Sequence, residues 1–262
     1  MQRPNYRINP SLLNSFGDLV NSETLYDKLY GQTEDAMTPE EFYAKQEQEL
    51  LDSINRVEHE PIEAADRGTC LNEIVDCILE HRKPVDGIEL QTIRDPEGRP
   101  LSIAAKMHGF YFNFDANLCM ELAGYFRGSV CQHLCEAVIG TAYGPVVLYG
   151  YADYIRRDIV YDLKTTSRYE YGKYGDGFQK DLYPWCLLES GELEAVSEFE
   201  YTAIPIKGGN GKNPLIGGDI IRERYDYDHE QATQRLRGSV EMFIAWIEQH
   251  RDQIHHTRIS NK

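Results

Sequence analysis

Val146–Tyr183 reads VVLYGYADYIRRDIVYDLKTTSRYEYGKYGDGFQKDLY, and the pairing of its two β-branched and aromatic runs decides the fold. Asp153 sits in the first run, while Asp162 and Lys164 flank a single apolar residue in the second. Residues i and i+2 of a strand project from one face, so Asp162 and Lys164 point together. The short Arg156–Asp158 link is suited to a hairpin that sets Asp153 beside them. Gln179 and Tyr183 follow at helical spacing, one turn apart. Two carboxylates and an amine then share a small patch. Clustered carboxylates repel unless a cation lies between them, and hard oxygen ligands of this kind suit magnesium or manganese.

In their order, Gly150-x-x-Asp153, Asp162-Leu163-Lys164-Thr165-Thr166 and Gln179-x-x-x-Tyr183 resemble the active-site ribbon of the PD-(D/E)XK nuclease superfamily. A lone Asp-x-Lys arises often by chance; the ordered company gives it weight. The Gln-x-x-x-Tyr that follows is similar to the RecB-like exonuclease branch, as is the Ser-x-Leu-x-x-Phe-like opening within Tyr6–Phe16. The resemblance implies an α/β, restriction-endonuclease-like fold with an αβββαβ core and additional helices at both ends. It implies a Mg²⁺- or Mn²⁺-dependent deoxyribonuclease, an exonuclease acting on DNA ends in recombination, repair or phage DNA metabolism, with a recombination or replication protein as a further partner. Asp153, Asp162 and the Leu163 carbonyl would hold the metal, Lys164 would orient or deprotonate a water, and Gln179 and Tyr183 would fix the ribbon and contact the strand.

The helix beginning at Gly68 usually carries Gly-x-x-x-His in RecB-like relatives; the matching position here is Asn72. An asparagine carbonyl can ligate a hard cation but binds manganese less well than imidazole does. Glu73 takes that place if the helix turns by one residue. Glu136, on the strand before the ribbon, is either a third carboxylate or a solvent-facing strand residue. Some relatives hold an iron–sulfur cluster through one early cysteine and a group near the C-terminus; no cysteine follows Cys186, so no such cluster is expected.

The chain has 262 residues, enough for one large domain or a domain with an added lobe. Its six cysteines include no C-x-x-C pair and read as buried thiols. The formal charge of −16 excludes a generally basic nucleic-acid coat. Any DNA path must therefore be local, and Lys164, Arg168, Lys173 and Lys180 cluster around the ribbon. No apolar run is long enough for a membrane span and Met1–Asn9 is too polar for a leader, so the expected location is cytoplasmic, in the host if phage-encoded.

Thr38-Pro39-Glu40-Glu41 is a helix start with a capping box. Turn signals from Lys83-Pro84 to Arg99-Pro100 mark residues 82–117 as an insertion, whose Phe110, Tyr111, Phe112 and Phe114 either stack on bases or alternate into the core. Three segments follow: a helical extension over residues 1–66, a nuclease core over 67–206, and a loop with a C-terminal helix over 207–262. Pro184 is expected to bend or restart the helix that carries Gln179. The Gly-rich stretch near Lys212 is not a phosphate loop, because Ile206 stands where the first glycine belongs. The alternative to an enzyme, suggested by Asn72 and the acidic surface, is a nuclease-derived module that binds DNA or a protein without turnover.

Overall fold

The computed structural model of the chain describes residues 6–30, 37–209 and 211–256. A short strand, β1 (Tyr6–Ile8), leads into four helices, α1 (Pro10–Val20), α2 (Ser22–Tyr30), α3 (Pro39–Asn55) and α4 (Glu63–Glu80). Asn9 caps α1 by accepting from Leu12 N, and Thr38 and Glu41 close both limbs of the capping box on α3. A three-stranded antiparallel sheet follows, β2 (Glu89–Arg94), β3 (Pro100–Met107) and β4 (Phe110–Asp115), and then α5 (Ala116–Tyr125). The main sheet is built by β5 (Val130–Thr141), β6 (Gly144–Arg156), β7 (Ile159–Thr166), β8 (Glu198–Lys207), β9 (Gly217–Gly218) and β10 (Ile221–Asp226), together with β1. Helix α6 (Gln179–Glu189) separates β7 from β8, and α7 (His229–Gln249) follows β10.

The result is a mixed α/β architecture with a mixed sheet and helices toward both ends. β5, β6 and β7 form an antiparallel meander; α6 then carries the chain across so that β8 pairs with β7 in parallel. Strand alternation divides the core into two layers. On one face, Leu13 and Phe16 of α1, Leu182 of α6 and Phe243 of α7 pack on Val146, Leu148 and Val160. On the other, Leu71 and Ile74 of α4, Leu122 of α5 and Phe112 and Phe114 of β4 pack on Tyr154, Tyr161 and Leu163. Asp162 and Lys164 share the parity of Val160, which puts them under α6.

One topological detail creates the site. β5 covers β6 along one edge from Gly144 to Ile155. On the other edge β7 pairs only with Tyr154, Ile155 and Arg156, while β1 pairs only with Val146, Val147 and Leu148. β7 leaves β6 to run beside β8, so the β6 edge between Leu148 and Tyr154 has no strand neighbour.

The structure adds detail to several expectations. The 82–117 segment shares one apolar cluster with α4 and the main sheet, so its sheet is a layer of the fold. Phe112 and Phe114 pack in that core and Tyr111 is exposed, which settles the alternation in favour of packing for those two rings. Residues 207–262 contain β10 as well as a helix; Ile221, Glu223 and Tyr225 alternate as a strand and pair with β8. Helix α6 runs through Pro184 without restarting. The missing N–H lies opposite the Lys180 carbonyl of the first turn, so only one helical hydrogen bond is lost near an end. No helix among the described residues is long and apolar enough to cross a membrane.

Candidate active site

Asp153 and Asp162 face each other across the point where β6 and β7 separate, since the next rung of the ladder is Tyr154 opposite Tyr161. With no strand hydrogen bond there, the Asp153 side chain enters the opening and its Oδ2 accepts from Leu163 N at 2.8 Å. Asp162 is only 2% exposed. Its Oδ1 accepts from Gln179 Nε2 at 2.6 Å, and Lys164 Nζ stands 2.7 Å from its Oδ2 as an ion pair rather than a well-directed hydrogen bond. Gln179 Nε2 also lies 3.3 Å from the Tyr183 hydroxyl. Five residues singled out from the sequence, Asp153, Asp162, Lys164, Gln179 and Tyr183, are thus brought to one place by β6, β7 and the first turns of α6.

Two glycines permit the approach. At Gly68 a Cβ would stand 3.1 Å from Thr165 Oγ1, so α4 lies close over β7 there. At Gly150 a Cβ would stand 2.5 Å from Tyr183 Cε1 and 3.3 Å from Pro10 Cδ. Tyr183 therefore fills the space above the bare β6 edge. Gly150→Ala should cost about 1–3 kcal/mol through overpacking, measured by urea unfolding. Tyr183→Leu in the same background should recover part of that loss; strictly additive losses would show that the two residues do not compete for this space.

The electrostatics follow from burial. Desolvation, then the charge of Asp162, raises the Asp153 carboxyl, with Lys164 and the Leu163 N–H opposing. Desolvation likewise raises Asp162 against the pull of Lys164 and Gln179. For Lys164, burial works to lower the pKa, but the combined charges of Asp162 and Asp153 outweigh it and the ammonium is held more firmly than usual. The site is a close carboxylate pair, Asp162 buried and Asp153 half-buried, with one lysine as its cation.

On the α4 side, Asn72, Glu73, Asp76, Arg82, Lys83, Gln132 and Asp153 are among the residues that line an open cleft of about 730 Å³. Glu73 reaches the cleft but is engaged by its neighbours. Arg82 grips both its oxygens at 2.5 and 3.0 Å, and Val85 N donates to it at 2.8 Å. Glu136 points away to an exposed pair with Arg7 at 2.5 Å, the solvent-facing alternative. Asn72 does reach the cleft, and its Oδ1 is buried without a partner. Two neighbours were not singled out from the sequence. Asp76 follows Asn72 by four residues on α4, a spacing that was available as a signal. Gln132 sits in the left-handed region, φ 47°, inside β5, where the ladder skips it, and its Nε2 lies 3.4 Å from Asp153 Oδ1. No residue pattern announces that left-handed residue.

The basic cluster is largely neutralised locally. Lys180 pairs with Asp181 at 2.9 Å, Arg168 with Glu170 at 3.0 Å, and Lys173 donates to Thr166 Oγ1 at 2.7 Å. All six cysteines are free thiols. Among the described residues, no three His, Cys, Asp or Glu side chains already converge at metal-binding distance. The donors at hand are nonetheless all hard oxygens: the opposed carboxylates of buried Asp162 and half-buried Asp153, a third carboxylate in Asp76, and the partnerless Asn72 amide oxygen. This set fits Mg²⁺ or Mn²⁺ and does not fit a soft metal.

No protein-family model and no curated protein sequence matches the chain. Among solved structures, one described as "Crystal structure of SSO0001" is similar over 92% of this chain and 79% of its own, at 12% identity and a TM-score of 0.38. That level of likeness carries no argument about fold or activity.

Proposed function

We propose that this chain is a metal-dependent deoxyribonuclease of the PD-(D/E)XK type, close in its motif order to the RecB-like branch, and that it hydrolyses phosphodiester bonds at DNA ends. The observation that carries the reading is the buried Asp162 held between Lys164 and Gln179, with Asp153 opposite it across the parting strands. With β2, β3, β4 and α5 set aside as an insertion, the element order supports it: α4, the β5-β6-β7 meander, α6 and the parallel β8 follow the αβββαβ sequence of a restriction-endonuclease-like core.

Asp153, Asp162 and the Leu163 carbonyl would hold the ion, which when bound polarises the phosphate and makes a nearby water more acidic. Lys164, kept cationic by the two aspartates, is suited to orient that water and to offset charge gathering on the pentavalent transition state. In this arrangement it is a poor base. Gln179 fixes the Asp162 carboxylate through Oδ1 and thereby directs Oδ2 toward Lys164. That amide also donates to the Tyr183 hydroxyl, whose ring lies against Gly150 of β6. Because phosphate is repelled by a carboxylate pair, DNA should approach only when a divalent cation is present.

The test is one gel in which linear single-stranded, linear double-stranded and closed circular DNA meet the protein with Mg²⁺, Mn²⁺ or chelator. Loss of the linear substrates with either ion, none with chelator, and none with Asp162→Ala is the expected result. Nicked circles would make it an endonuclease. No product under any ion, with DNA or protein association retained, would assign the chain to the non-catalytic binding class.

A further inference from the structure

Asp76 is the most deeply buried carboxylate facing the cleft, 1% exposed, and its Oδ1 has no hydrogen-bond partner. A buried, unpaired carboxylate oxygen is costly, on the order of several kcal/mol per ion when desolvated, so it persists only where something compensates. The nearest cation does so only in part. Arg82 lies 3.7 Å from the other oxygen, Oδ2, but its Nη1 and Nη2 are committed to Glu73 and its Nε to Glu80 at 2.7 Å. Tyr154 and Gln132 are near enough to offset some of the burial, yet neither makes a hydrogen bond of normal geometry to Oδ1.

One turn earlier on the same helix face, Asn72 presents a second partnerless buried oxygen to the same cleft. Across it stands Asp153, and Gln132, in strained left-handed backbone, holds the floor between them. Strained residues persist where the surroundings over-determine them, commonly at ligand sites. Asn72 Oδ1, Asp76 Oδ1 and Asp153 bring three oxygen donors to one cleft that Arg82 and Lys83 also border, with Arg82 3.7 Å from Asp76 Oδ2.

We infer that Asp76, with Asn72, completes the divalent-cation seat from the α4 side, supplying the charged ligand that an asparagine at position 72 cannot. This rests on the nuclease reading for the Asp153 half of the seat, and it assigns the α4 half to Asp76 in place of Glu73. A neutral amide, like a neutral imidazole, brings no charge to a site; a carboxylate one turn on adds one without changing the helix.

Calorimetric titration of Mn²⁺ into the full chain tests this, alongside thermal unfolding with chelator and with Mn²⁺. Asp76→Asn should weaken Mn²⁺ binding by about tenfold or more, as expected when a charged ligand is lost. The same variant should melt at a higher temperature than wild type in chelator, since a buried uncompensated charge is gone, and should lose most of the Mn²⁺-induced rise. A merely structural Asp76 would instead lower the melting temperature and leave the Mn²⁺ response intact. Asn72→Asp, which adds a charge at the other donor, should tighten Mn²⁺ binding; this keeps the test decisive if Asp76→Asn folds poorly. Glu136→Gln, on the exposed Arg7 pair, serves as the control and should bind as wild type. Mn²⁺ binding abolished by Asp162→Asn but unchanged by Asp76→Asn and Asn72→Asp would overturn the α4 assignment while leaving the nuclease reading standing. An absence of Mn²⁺ binding in the wild type would overturn both.

Discussion

Lys164→Met should cut linear DNA about 10²- to 10⁴-fold more slowly than the wild type, the range for losing one positioned proton-transfer or charge-stabilising group. It should also be less stable. Asp162 is 2% exposed and Lys164 Nζ is the cation in contact with it, at 2.7 Å. Removing one member of a buried pair typically costs about 3–5 kcal/mol, because the remaining charge keeps its desolvation penalty and loses its compensation. The lysine side chain is 29% exposed, so the loss here should fall at or below the lower end of that range. Protonation caps it further: without Lys164 the Asp162 pKa rises again, and the variant should be less impaired at pH 5 than at pH 8. The double variant Asp162→Asn/Lys164→Met separates the two roles. Neutral partners of similar shape restore stability toward the wild type, while activity stays lost. Stopped-time cleavage assays and urea unfolding on the four proteins of this cycle measure both. A Lys164→Met protein that cleaves at the wild-type rate would remove the lysine from the chemistry, and with it the reason for reading the ribbon as a nuclease.

The ribbon was legible in the sequence because each feature has a local cause. Period-two alternation set Asp162 and Lys164 on one face, a short link set the hairpin, and helical spacing set Gln179 beside Tyr183. What the sequence concealed was the departure of β7 from β6. That parting is a competition: β7 can pair with β6 along its length or follow β8, and β8 lies beyond the α6 crossover, outside any local window. The three residues of β1 that occupy the remaining β6 edge carry no periodicity long enough to read. Asp76 was missed for a different reason. The resemblance points to position 72 and its neighbour Glu73, but adjacent helical residues point about 100° apart, and steps of three or four residues are what return to the same face. Arg82 then claims Glu73, a pairing that needs the left-handed turn at His81, φ 54°. The insertion shows the same limit. Its turns were readable, and its partnership with α4 in one core was not.

The metal-free protein should be more stable in mild acid than at neutral pH, the reverse of most carboxylate-rich proteins. The Asp153 carboxyl is pushed up to about 7 from its ordinary 3.8 by burial and by Asp162. Between those two values the folded chain binds a proton that the unfolded chain has released. The unfolding free energy therefore falls as pH rises through the window, and the loss is complete once pH exceeds the folded value. Every pH unit crossed inside the window removes about 1.4 kcal/mol, so the fall from pH 5 to pH 8 should be on the order of 2–3 kcal/mol. Asp76, raised to about 6, and Asp162, raised by burial, act in the same direction. Glu73, lowered through Arg82 and Val85 despite its burial, acts oppositely, but only in the more acidic range as its own carboxylate protonates. Urea unfolding across this pH range in chelator should give the falling curve. Asp153→Asn should flatten it, since the replaced amide no longer titrates. Mn²⁺ should flatten it as well, because a divalent charge among the carboxylates restores their preference for the ionised form. A wild-type curve that is level in chelator would mean that the aspartates are hydrated and apart, and a pair that water already satisfies has no need of a cation.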